Sequence, residues 1–214
     1  MDGHSSHRMP GMDIASSLLI AVAAWLVLRM RYQRARIALL GRHLAGLQLE
    51  RGMETLTQGY TRAIHEETET RQRQVLETFA QAERTVAAQA QSLADAMRQE
   101  SEQATRMSLL PFCVPYAERF LPVPTRDFRA LLRIHADGLR HVVDNESRWD
   151  PKDRAYHLSA ELYLLQHSCH WYCKSRSVAD ARLALRHQVR HQQALDAVSD
   201  ATRSAYLRWL RGAG

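Results

Sequence analysis

The fifteen residues from Ile14 to Leu28 carry no charge, and Arg29, Arg31, Arg34 and Arg36 follow at once. No polar face appears between Ser17 and Arg29, so a helix here must be surrounded by apolar material on every side. A membrane-spanning helix needs about 20 mostly apolar residues, with about 17 as the lower limit. The run reaches that length as an anchor over residues 14–30 if Gly11 to Asp13 and Met30 lie among the headgroups and the Arg29 side chain snorkels to the surface. Two other readings stand beside the anchor. Short apolar runs of about 10 to 14 residues also form buried core helices. Ala21-Val22-Ala23 also offers a small-x-small site for signal-peptide cleavage, although a cut there would strand Trp25 to Leu28 on the mature chain.

The arginine bias sets an expected orientation. Arg8 is opposed by Asp2 and Asp13 on the N-terminal flank, whereas the other flank carries the four arginines. Positive charge stays in the cytoplasm, so the expectation is a single-pass protein of the bacterial inner membrane, N-terminus outside and the long C-terminal part inside. Residues 1–13, rich in Ser, His, Gly and Met, read as a disordered tail in which His4 and His7 lack a third metal ligand. Three cysteines in 214 residues do not make a disulfide framework, which agrees with a reducing compartment.

Residues 31–107 contain no proline and are dominated by Ala, Gln, Glu, Arg and Leu, so they read as helix. Ile37, Leu40, Leu44 and Leu47 recur at three and four. So do Met53, Leu56, Tyr60 and Ala63 in a shifted frame, and then Val75, Phe79, Ala82, Val86, Gln89, Leu93 and Ala96 with weaker core residues. This spacing predicts a coiled-coil stalk through which copies of the chain associate. Unbroken from the anchor, it would extend about 140 Å at 1.5 Å per residue. Gly41, Gly46, Gly52 and Gly59 weaken that helix, each by about 1 kcal/mol relative to Ala, and a fold-back near Arg51 to Gly59 is the alternative.

Four prolines between Pro111 and Pro124 end the helical pattern and read as a linker over 108–124. Its apolar residues argue that it packs on the C-terminal domain. That domain, residues 125–214, reads as three to four helices. Thr125 caps the first, whose stripe includes Phe128, Leu131, Leu132, His135 and Leu139. Asp150-Pro151 opens the second, a third begins after Ser177, and Ala201 to Leu210 form the last. No strand or hairpin signal appears, so the expected fold class is all-α.

The sharpest local constellation is Cys169, Cys173, His187 and His191. Its spacing lies one residue outside the two-Cys, two-His zinc pattern, and each pair is i, i+4 on one helical face. A turn near Lys174 to Ser177 would set the cysteines opposite residue 182, however, about 10 Å from the histidines along the helix. Small core residues are therefore the preferred reading of the cysteines, and zinc the alternative; no other cofactor is indicated. Arg182, Arg186 and Arg190 form a basic stripe that would suit nucleic acid or anionic lipid. Asp180, Asp196 and Asp200 dilute its field, so a solvated face is preferred and nucleic acid disfavoured. No nucleophile elbow, His-Glu-x-x-His or phosphate loop is present, which argues against an enzyme. The expected role is a membrane-anchored scaffold whose residues 125–214 recruit a protein partner.

Overall fold

The structure, a computed structural model, describes residues 10–212, with side chains from residue 14. The expected tail therefore lies largely outside the described residues, and Pro10 to Asp13 already belong to the first helix. α1 (Pro10–Leu44) has 35 residues, about 52 Å at 1.5 Å per residue. After it come α2 (Leu49–Ile64), α3 (Glu69–Glu77), α4 (Ala80–Met97) and the short α5 (Glu102–Thr105). β1 (Arg106–Ser108), α6 (Ala117–Phe120) and β2 (Thr125–Asp127) form a small excursion. The remaining helices are α7 (Phe128–Val143), α8 (Pro151–Cys173), α9 (Arg176–His187), α10 (His191–Ala197) and α11 (Asp200–Arg211).

The extended stalk expected over 31–107 is replaced by a fold-back. The chain reverses between α1 and α2, one turn before the predicted place, and α2 packs antiparallel on α4 while α4 lies along α7. The glycines of α2 supply the physical reason. A Cβ on Gly52 would stand 2.6 Å from Val86 Cγ2, and one on Gly59 would stand 2.2 Å from the Phe79 ring. Both glycines thus open the groove into which α4 and its approach are seated, so the cost to the helix returns as close packing. Val86 and Leu93, read as an intermolecular seam, are buried within this one chain. Alanines 87, 90 and 94 line the same buried side of α4 and allow α7 to approach closely.

Residues 108–124 do not separate two cores, because one apolar cluster runs from Leu39 to Trp209. They form the tip of a hairpin the sequence did not signal. β1 and β2 pair antiparallel, Arg106 opposite Asp127 and Ser108 opposite Thr125, and Leu109 N–H donates to the Pro124 carbonyl at 3.0 Å. Strands of three residues are too short to show alternation. Thr125 consequently lies in β2, and the cap of α7 is Asp127, whose carboxylate accepts from Arg129 N–H at 2.9 Å. Asp150 caps α8 as expected from Asp150-Pro151, accepting from Lys152 and Asp153 N–H. A buried ion pair ties the layers together: Glu83 accepts from Tyr60 Oη at 2.6 Å and meets Arg154 at 2.9 Å.

Candidate functional site

α1 changes character along its length. Its apolar half is exposed, with Leu19 and Ile20 about 70% accessible, and its most apolar window has a mean hydropathy of 1.7 with none of it buried. By length and composition this helix is long and apolar enough to cross a membrane. From Tyr32 onward the same helix enters the bundle: Tyr32, Gln33, Arg36, Leu39 and Leu40 are buried. The Arg36 guanidinium sits 4.3 Å from the Tyr32 ring centre and 4.9 Å from that of Tyr172. It donates to the Tyr172 carbonyl at 3.0 Å, to the Arg106 carbonyl, and to Glu118 at 3.2 Å. Tyr32 Oη donates to the same Glu118 carboxylate at 2.9 Å. The exposed half is therefore joined to the bundle by a sealed, charged joint with no flexible linker between them.

Above this joint lies an apolar cavity of about 310 Å³ between α1, α2 and α8. Leu40, Leu44, Leu49, Met53 and Leu165 wall it together with Cys169 and Cys173, and Glu50, His170, Lys174 and Arg182 stand at its rim. Burial pushes both thiols up, Cys173 to about 11, with the neighbouring Arg36 opposing the shift. Burial thus disfavours the thiolate in both, which suits packing against the apolar wall.

The four candidate ligands are not brought together. The cysteines face this cavity, while His187 lies 4.4 Å from Tyr163 and bonds Gln166 at 2.9 Å. His191 bonds Tyr206 Oη at 3.0 Å and lies 4.4 Å from His167. Among the described residues no group of three or more His, Cys, Asp or Glu side chains forms a metal site. The predicted arginine stripe is also interrupted. α9 ends at His187, with Gln188 in the left-handed region, so Arg190 belongs to the start of α10. Arg186 spends part of its charge on Glu54 at 3.3 Å.

Sequence reasoning missed a polar cluster where α7, α8, α9 and α11 meet, buried except for the half-exposed Asp180. His135 Nε2 bonds Ser168 Oγ at 2.8 Å, and His167 Nε2 bonds Asp180 at 2.8 Å. Glu161 accepts from the Ser199 amide and hydroxyl at 3.3 and 3.2 Å. No motif marks it, because its members come from four helices and His135 falls within an apolar stripe. The Ser168 and His135 pair is fully enclosed, and His135 Nδ1 has no hydrogen-bond partner. It thus lacks both the orienting carboxylate and the opening that nucleophilic catalysis needs. Burial raises Glu161 to about 7 despite bonds from Thr202 and Ser199. Gly138 makes room for this carboxyl, since a Cβ there would lie 2.2 Å from Thr202 Oγ1 and 2.6 Å from Glu161 Oε2. Gly138→Ala is expected to destabilise the chain by about 2 kcal/mol. The check is a lower urea midpoint, set against the exposed Gly46→Ala, for which nothing lies within 4 Å.

No family model, curated protein or solved structure matches this chain.

Proposed function

We propose that this protein is a single-pass, membrane-tethered helical binding module of the bacterial inner membrane, with its N-terminus outside and its bundle in the cytoplasm, where the bundle recruits a protein partner without catalysing a reaction. The observation that carries this reading is the unbroken α1, exposed and apolar over Ile14 to Leu28 and then sealed into the bundle from Tyr32. A helix built this way holds the bundle at a fixed height and orientation above the bilayer, which a docking module needs and an extended stalk would not provide. Arg31 and Arg34, exposed just past the apolar run, support the cytoplasmic placement of the bundle. The histidine and serine pair is enclosed and the two thiols wall an apolar cavity, so packing is the role the structure supports for these side chains.

Reporter fusions at residues 8 and 214 test the topology. A C-terminal green fluorescent protein fusion is expected to fluoresce, and a C-terminal alkaline phosphatase fusion to be inactive. An active C-terminal phosphatase would place the bundle in the periplasm and overturn the orientation.

A further inference from the structure

We infer that the hairpin tip, residues 109–124, is a second membrane contact, which lays Phe112, Phe120 and Leu121 into the interfacial zone of the bilayer that α1 crosses. The inference rests on the membrane-tethered reading and adds a lipid-binding surface to it. Three observations carry it.

The first is position. As the chain runs from Glu100 to Glu118, its partners on α1 descend toward the apolar end: Glu100 meets His43 at 2.8 Å, the Arg106 carbonyl takes Arg36, and Glu118 meets Tyr32 at 2.9 Å. Tyr116 also lies against Tyr32, with ring centres 5.1 Å apart. Tyr32 is only four residues past Leu28, about 6 Å along the helix. Tyr116 and Glu118, in the middle of the tip, are thereby held close to the level where α1 leaves the apolar zone.

The second is exposure. Phe112 is 71% accessible, Phe120 80% and Leu121 52%, grouped on one short segment. Prolines 111, 115, 122 and 124 stiffen that segment, so presenting the side chains costs little order. Clusters of large apolar side chains left in water mark interaction surfaces. Aromatic rings suit the headgroup boundary.

The third is charge. The one acidic residue of the tip, Glu118, is turned inward onto Tyr32 and Arg36, whereas Arg119 is exposed. Arg31 and Arg34 are exposed at the same level of α1, Arg34 on the face turned away from the tip, so the apolar rings lie at the height of the arginines that surround the helix where it meets an anionic leaflet.

The test uses the full chain in vesicles of phosphatidylcholine and phosphatidylglycerol that carry a bilayer-embedded quencher lipid. A polarity-sensitive fluorophore is placed at Pro122→Cys in a Cys113→Ser background, with a reference chain labelled at Leu185→Cys, an exposed position on α9. The fluorophore at 122 is expected to shift to the blue and to be quenched several-fold more strongly than the one at 185. Changing Phe112, Phe120 and Leu121 together to Ser should bring it down to the level at 185. These side chains are exposed, so the substitutions leave the core intact. Equal quenching at 122 and 185 in a chain that resists alkaline carbonate would overturn the inference and leave the tether standing, the tip then facing water or a protein. Strong quenching retained by the triple variant would also overturn it. A chain stripped from the vesicles by carbonate would remove the tether and the tip contact together.

Discussion

Arg36→Ala is expected to cost about 3 to 5 kcal/mol of folding stability, the range for breaking a buried ion pair from one side. Arg36 is 8% accessible, and its partner Glu118 has a side chain only 5% accessible. Removing the guanidinium would leave that carboxylate in the joint with only Tyr32 Oη as donor. It would also empty the space between the Tyr32 and Tyr172 rings, where the cation gains from both π faces. Urea unfolding of the full chain in detergent, followed by circular dichroism, measures the loss. Arg34→Ala, at an exposed neighbour, should change the midpoint little. Because much of the cost is the charge left behind, Glu118→Gln added to Arg36→Ala should recover a large part of it. A double variant no better than Arg36→Ala alone would mean that ring packing, and not the ion pair, holds the joint.

Acidification from about pH 6.5 to 4 is expected to lower stability, by about 3 kcal/mol from His135, His191 and Glu161 taken together at about 1.4 kcal/mol for each unit of pKa displacement, and further through His167, His170 and His187, which burial also lowers. Burial lowers His135 to about 3 and His191 to about 4, reinforced by the charges of neighbouring histidines. Both folded values lie below the unfolded one of 6.5, so the unfolded chain takes up protons that the folded chain refuses. Their contribution is full above about pH 6.5 and drains away as pH falls. Glu161 runs the other way. Its folded value of about 7 exceeds the unfolded 4.5, so the folded chain keeps a proton that the unfolded chain has released. Its contribution is full below about pH 4.5 and is lost as pH rises toward 7. In the shared window Glu161 offsets roughly one histidine. Glu161→Gln therefore should steepen the acid loss and raise stability at pH 7.5 and above. Unfolding free energies measured at several pH values between 4 and 8 decide the matter. A profile for Glu161→Gln parallel to that of the parent chain would contradict the assignment.

The apolar run before the arginines, the helical character of residues 31–107, the proline break and the Asp150-Pro151 helix start are local patterns, and each is legible in the chain itself. Period and composition report which face of a helix is apolar, and that much is carried by neighbours three and four residues apart. They do not report what covers the face. Val86 and Leu93 have the same spacing whether they meet a second copy or the chain's own helices, and the tertiary structure decides for the latter. Gly52 and Gly59 were visible as weak points of a stalk. Only the approach of Val86 and Phe79 turns them into a groove.

The same distinction separates the sites. Cys169 and Cys173 share a helical face in any α8, so their pairing was readable, but their distance from His187 and His191 depends on how α9 and α10 pack. His135, Glu161, Ser168 and Asp180 had no shared spacing to betray them, since they come from three different helices. Sequence by itself determined a helical chain with one helix long and apolar enough to cross a membrane. Tertiary structure alone decided that the rest folds back onto the base of that helix, because burial, buried charge and the room beside a glycine are properties of side chains far apart in sequence and adjacent only in space.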